Sequence, residues 1–288
     1  MKAPRFHYVR PESLAAVIHL LAEHGEDARI LAGGQSLMPT LNMRLSQPKV
    51  LIDINRIGEL KGIAVRGGMV RIGALARHVE VMASPVVAHA LPLIAEAMPH
   101  VAHVAVRNRG TFGGSIALAD PSAELPACIL ALGASIVVES VRGRRTIPAD
   151  DFFTGLYETA RAPDELLVEV LIPPQTPDHV SVFMELARRH GDFAIAGLAC
   201  YASVAGNVVN GARLAYFGSE AKPTLAARTM ALVNGKAWPG NLEAVNAALG
   251  EDLDPIANTF GSVATKLHHQ RVLTRRVLDA AVQRARAS

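Results

Sequence analysis

The run Pro173-Pro174-Gln175-Thr176-Pro177 constrains this chain more than any other feature. Consecutive prolines supply no amide donors, so they cannot continue a strand ladder and predict a boundary between folded units. On this reading one unit covers residues 1–175 and a second covers 178–288. Strands are expected beyond the boundary over 181–187, 197–204 and 212–217, with a hairpin near Gly206-Asn207. Helices over 225–233, 242–249 and 260–287 follow them. Strands that give way to helices favour α+β packing over a doubly wound parallel sheet.

The unit before the boundary reads as two lobes, about 1–60 and 61–175. In the first, Ser13 is placed to cap a helix whose apolar residues Leu14, Val17, Ile18 and Leu21 recur at helical spacing, and Gly25 to stop it. A strand over 28–32, a glycine turn, a short helix over 37–45 and a strand over 50–54 complete it. The second lobe opens on a hairpin, 63–66 and 69–72 around Gly67-Gly68. Helices over 77–83 and 88–97, a hairpin of 134–140 with 144–147, and a strand over 166–172 follow.

Half of the 288 residues are hydrophobic, enough for a large core. The formal charge is only +3, and much of the excess falls in the last helix at Arg271, Arg275, Arg276, Arg284 and Arg286. A nucleic-acid binder concentrates charge on one face with polar or aromatic readers between, and nothing here requires one. Cys128 and Cys200 lie far apart in apolar runs and read as buried thiols. Without a cysteine cluster this chain cannot ligate an iron–sulfur centre by itself. No secretory signal is visible, and the longest apolar stretches fall short of the ~20 residues a membrane span needs. A cytoplasmic protein without nucleic acid or membrane span is expected.

Two glycine-rich segments carry the chemistry. Leu31-Ala32-Gly33-Gly34-Gln35-Ser36-Leu37-Met38 follows a strand and precedes a helix. Glycines let the backbone approach a ligand, successive amides make an anion site, and Ser36 adds a hydroxyl. The same segment could be an ordinary turn, and it matches neither the dinucleotide fingerprint of Rossmann folds nor a Walker phosphate loop. Arg107-Asn108-Arg109-Gly110-Thr111-Phe112-Gly113-Gly114-Ser115 repeats the design, so two segments could grip one diphosphate. Downstream, Asp120 and Glu124 are either ligand contacts or acids favoured at a helix start.

The phrases AGGQSLMPTLNMRL, RNRGTFGGSIALADPSAE and ARRHGDFA resemble the FAD-binding medium subunit of the xanthine dehydrogenase and carbon monoxide dehydrogenase family of molybdenum hydroxylases. Among these the likeness is to bacterial hydroxylases of N-heteroaromatic compounds, and it covers essentially the whole chain. It implies a two-lobed FAD-binding domain of the vanillyl-alcohol-oxidase type plus a smaller C-terminal sheet-and-helices domain. It implies that Leu31, Ala32, Gly33, Gly34, Gln35, Ser36, Leu37 and Met38 wrap the FAD diphosphate, and that Thr111, Phe112, Gly113, Gly114 and Ser115 complete the cradle. Val101 falls near the adenine side, Glu124 and Leu167 at cofactor contacts, and Phe193 beside the isoalloxazine ring. Many relatives carry a lysine before the paired arginines where this chain has Met184-Glu185, and some have Tyr where Phe193 stands.

The resemblance further implies noncovalent FAD and two partner chains, a molybdopterin-binding large subunit and an iron–sulfur small subunit, doubled into a dimer of heterotrimers. Electrons would pass from the iron–sulfur subunit through this one to an external acceptor, with no catalytic residue in this chain. A self-sufficient flavin oxidoreductase of the same fold is the alternative, and a protein that holds a nucleotide only structurally is a third. His100 and His103 stand on one helical face if helical, but no third metal ligand accompanies them, and hydrogen bonding is the expected role. The apolar stripe of the last helix is expected to pack on its own domain.

Overall fold

Ser13 has extended backbone and its hydroxyl accepts the Ala16 amide at 3.2 Å, which starts the helix Leu14–His24 as expected. Gly25, at φ 48°, ends it. The computed structural model describes residues 2–287. Leu14, Val17, Ile18 and Leu21 are buried with Ile52 and Ile54, in a core beside a parallel three-stranded sheet. Its order is His7–Val9, Val50–Asp53, Ala28–Leu31. The strand His7–Val9 was not expected, because three mostly exposed residues carry no apolar pattern.

The second sheet is antiparallel, in the order Ile63–Arg66, Met69–Gly73, Leu166–Ile172, Ser135–Ser140, Gly143–Pro148. Gly67 and Gly68 turn its first hairpin at φ 59° and 75°, the left-handed pair that a tight primed turn requires. The strand that comes last in sequence sits in the middle. Both of its faces are covered: Leu166 and Val168 join the first lobe's core, Leu167, Val170 and Ile172 a second one.

The helices Pro85–Ala90, Pro92–Ala97, Phe112–Leu118 and Glu124–Ala131 supply most of the helical side of that second core, with Val81 of His78–Ala83 and Phe152 of Ala149–Phe152. The single helix expected over 88–97 is divided at Leu91, whose φ −133° and ψ 60° lie outside the helical region. The residue before a proline is pushed out of that region by the ring, here of Pro92.

Beyond the prolines, His179–Leu186, Ala196–Ala205, Val208–Phe217 and Thr224–Leu225 form the third, antiparallel sheet, with Lys236–Ala237 paired to Val208–Phe217. Alternate residues on it face different cores. Val182, Leu198, Cys200, Leu214 and Tyr216 pack with Leu273, Val277 and Leu278 of the long helix Val263–Ala287. Phe183, Ala199, Ala215 and Phe217 join the core that those helices of the middle lobe line. The sheet is therefore sandwiched, which explains its nearly unbroken apolar strands. Among the described residues, no helix is long and apolar enough to cross a membrane.

Candidate cofactor site

The parallel strands Ala28–Leu31 and Val50–Asp53 point their carboxyl ends the same way, and the first glycine segment leaves one of them. The carboxyl ends of parallel strands are where open α/β sheets bind ligands. Among the described residues, the amides of Gly33, Gly34, Gln35 and Ser36 donate to no protein group. An amide shut away from water without a partner costs about 1–3 kcal/mol, so four in succession persist only where solvent or a ligand reaches them. Gly34, at φ 71°, bends the loop, and Gln35 Nε2 donates to Gly33 O at 3.1 Å to hold it. Ser36 precedes the helix Leu37–Asn42, but its hydroxyl makes no cap and is free to donate. Met38 is exposed at the rim, while Leu31, Ala32 and Leu37 are half-buried.

The two glycine segments touch. A β-carbon on Gly33 would stand 2.5 Å from Arg109 O and 2.8 Å from Gly110 Cα. The second segment is not a free loop, however. Gly113 and Gly114 lie in the first turn of the helix Phe112–Leu118, and Thr111 caps it by accepting the Gly114 amide at 3.1 Å. Phe112 N donates to Ala76 O, Gly113 N to Ala74 O and Ser115 N to Thr111 O, so these amides are already engaged. The fully buried Phe112 ring anchors the helix start in the core, and Gly113 lets it pack with its missing β-carbon 2.6 Å from Ala74. What this segment presents is close backbone and the half-buried Ser115 hydroxyl, since Thr111 is buried and its hydroxyl serves the cap.

Asn55 and Arg77 join the segments, and the sequence reading missed both. Asn55 Nδ2 donates to Ala32 O at 2.8 Å, and its Oδ1 accepts Arg77 Nη2 at 2.5 Å. Arg77 Nη1 donates to Arg109 O. Asp53, held by Tyr8 Oη at 2.5 Å, supports Asn55 through its amide nitrogens at 2.9 and 2.7 Å. Burial first, and the Arg109 charge second, disfavour the Arg77 cation, a cost that an anion in the cradle would offset. The only local signal was the position of Asn55, just past the carboxyl end of a parallel strand. Beneath Gly110, neither ring nitrogen of the buried His78 has a well-formed hydrogen bond among the described residues. Burial holds its imidazole down at about 4 against a smaller opposing effect of the Thr111 backbone, leaving it neutral at physiological pH.

Glu124 opens the helix Glu124–Ala131 and is buried. Burial pushes its carboxyl up to about 8, with Glu185 and Asp120 adding to the rise, so at neutral pH it holds a proton. Asp120 instead accepts the Ser122 amide at 2.9 Å, a local turn bond. Val101 is buried in a turn whose carbonyls at Val101 and Ala102 accept Arg107 Nη1 at 2.9 and 2.7 Å. Gly191, at φ 86°, packs on that turn, its missing β-carbon 2.6 Å from the His103 ring. The loop that carries Phe193 is thereby brought to Val101, with the Phe193 ring 66% exposed. His100 is engaged by Glu185 Oε1 at 3.0 Å. Leu167 is sealed in the core, linked to the second segment through Ala74, which donates to Val168 O and accepts from Gly113.

The site fits the diphosphate of a dinucleotide: consecutive free amides, the Ser36 hydroxyl and the positive charge of Arg77 and Arg109 close by. Residues 4–175 match the family described as the FAD binding domain in molybdopterin dehydrogenase, and 181–281 the CO dehydrogenase flavoprotein C-terminal domain. The chain is 39% identical to the nicotine 6-hydroxylase medium subunit of Paenarthrobacter nicotinovorans, over 96% of this chain and 98% of that one. It is 39% identical to the carbon monoxide dehydrogenase medium chain of Hydrogenophaga pseudoflava, over 98% of each. The solved structure of carbon monoxide dehydrogenase from that organism, lacking the Mo-pyranopterin moiety, superposes with a TM-score of 0.95 at 38% identity, covering 99% of both chains.

Proposed function

This chain belongs to the family of FAD-binding subunits of molybdopterin dehydrogenases, and we propose on that premise that it carries FAD noncovalently and transfers electrons within a multisubunit molybdenum hydroxylase. The observation that carries the proposal is the row of unpaired amides from Gly33 to Ser36, set against Arg109 and Gly110. These amides and the Ser36 hydroxyl accept the diphosphate charge, and Arg77 and Arg109 balance it. Thr111, Phe112, Gly113, Gly114 and Ser115 close the cradle by backbone approach, with the Ser115 hydroxyl added. Val101 lies toward the adenine, Leu167 supports the cradle from the core, and Phe193 covers the isoalloxazine. Glu124, protonated at neutral pH, donates a hydrogen bond without adding charge.

Bound FAD supplies a carrier that takes electrons one or two at a time, which suits a junction between one-electron and two-electron partners. The chain's own residues bind, orient and shield it. In our reading residues 1–175 form the FAD domain, in lobes of about 1–60 and 61–175, and 178–288 the second domain. The partners are a molybdopterin-binding large subunit and an iron–sulfur small subunit, assembled as a cytoplasmic dimer of heterotrimers.

Titration of the cofactor-stripped complex with FAD and with FMN, which lacks the adenylate half, tests the site. Two charge-assisted bonds to the second phosphate at about 1.5–3 kcal/mol each make FAD roughly 100-fold tighter or more. Equal affinities would remove the diphosphate cradle from the account.

A further inference from the structure

The strand His179–Leu186 sends alternate side chains to opposite faces: Val182 and Met184 toward the long helix, Phe183 toward the helices of the middle lobe. Glu185 follows Phe183's lobe, bonding to His100. Its carboxyl side chain is 3% exposed. One oxygen pairs with His100 Nδ1 at 3.0 Å, and the other, Oε2, has no partner among the described residues. A half-paired carboxyl at a packed interface does little for stability, since an apolar side chain of similar volume would serve as well or better.

We propose that Glu185 and His100 form a proton-holding pair behind the FAD site, which takes up a proton as negative charge gathers there and so sets how the bound flavin responds to pH. The inference rests on the FAD reading above. Both members adjoin residues of that site: His100 precedes Val101, and Glu185 is close enough to Glu124 for its charge to raise the Glu124 carboxyl. The ionisable surroundings leave room for exchange. From the helix Pro92–Ala97 comes Glu96, already paired with Arg284 of the long helix at 2.6 Å. From Glu124–Ala131 come Glu124 and the buried Cys128 thiol, whose proton is held by burial. From the Gly191 loop comes His190, its ring 5.5 Å from that of His100, and on the far face of the neighbouring strand lies buried Cys200.

With Glu96 matched by Arg284, two carboxyls, Glu185 and Glu124, remain to be balanced by protons or by His100 and His190. Burial raises both carboxyls, and Glu124, pushed up to about 8, already holds its proton near neutrality. Added negative charge nearby favours every protonated form in it. No bond other than N–H or O–H is made or broken, and the proton comes from solvent through the half-exposed His100 edge.

The test uses the purified complex with wild type, Glu185→Gln and His100→Gln. Flavin content and the flavin midpoint potential are measured over roughly pH 5 to 9, the range imidazoles and raised carboxyls titrate in. The pair predicts full FAD in all three and, in both variants, loss of the sloping stretch of the potential–pH plot over which it takes up its proton. Superimposable plots with full FAD overturn the proton-holding role and leave the FAD reading standing. Loss of FAD in both variants overturns it too, by making the pair a binding element. Absence of FAD from the wild-type complex removes the FAD reading itself. Should Glu185→Gln fail to assemble, His100→Gln decides alone.

Discussion

Gly33 lies against Arg109 so closely that a β-carbon there would stand 2.5 Å from the Arg109 carbonyl oxygen. The contact is backbone on backbone, so it cannot be relieved by a side-chain rotation. Gly33→Ala is expected to push the two glycine segments apart, lowering stability by about 1–3 kcal/mol and abolishing FAD retention. Gly34→Ala meets only the Leu31 and Met38 side chains, and its cost is the left-handed φ, about 1–2 kcal/mol. Thermal melts and FAD titration of the two variants check the order.

Asn55 and Arg77 act together on both segments. Asn55→Ala and Arg77→Met are each expected to weaken FAD by about tenfold or more, the worth of a hydrogen bond to a charged group. The double variant is expected to lose much less than the sum, because either substitution alone already frees Ala32 O from Arg109 O. Additive losses would show that the two residues do not work as one clamp.

Ser36 and Thr111 both bear hydroxyls, with opposite duties. Thr111→Val removes a helix cap and is expected to cost about 1 kcal/mol of stability. Ser36→Ala removes a hydroxyl that caps nothing, so the cofactor-free chain should melt unchanged while FAD affinity drops. Melting curves with and without FAD separate the two.

Glu124 gives the cofactor-free chain a pH dependence. Its folded carboxyl is pushed up to about 8 from an ordinary value of 4.5, so the folded chain holds this proton more tightly than the unfolded one. Stability is therefore highest on this account below about 4.5 and falls as pH rises toward 8, by at most about 1.4 kcal/mol per pH unit. Glu124→Gln, which cannot ionise, is expected to flatten the melting temperature over that window. An unchanged slope would assign the dependence to other groups.

Much of the fold was legible because its cues are local. Ser13 and Gly25 bracket the first helix, Gly67-Gly68 turns its hairpin, and the strand Leu166–Ile172 falls where its apolar run does. Its place in the middle of a sheet was not legible, since pairing across a hundred residues leaves no mark in the strand itself. In the site, the free amides follow from Gly33-Gly34 between strand and helix. The helical state of Gly113 and Gly114 does not, because glycine disfavours helices and tertiary contact with Ala74 decides. Asn55 and Arg77 stayed hidden for the same reason: the bonds that tie them to the two segments and to each other reach across 22 residues or more.

The most direct measurement is the flavin content of the chain purified with its partner subunits, by visible spectrum and by release of cofactor in acid. FAD near one per chain, lost in a Gly34→Val variant that still assembles, is the expected result. A complex that assembles without flavin, or a Gly34→Val variant that keeps it fully, would contradict the cradle and the electron-transfer role built on it.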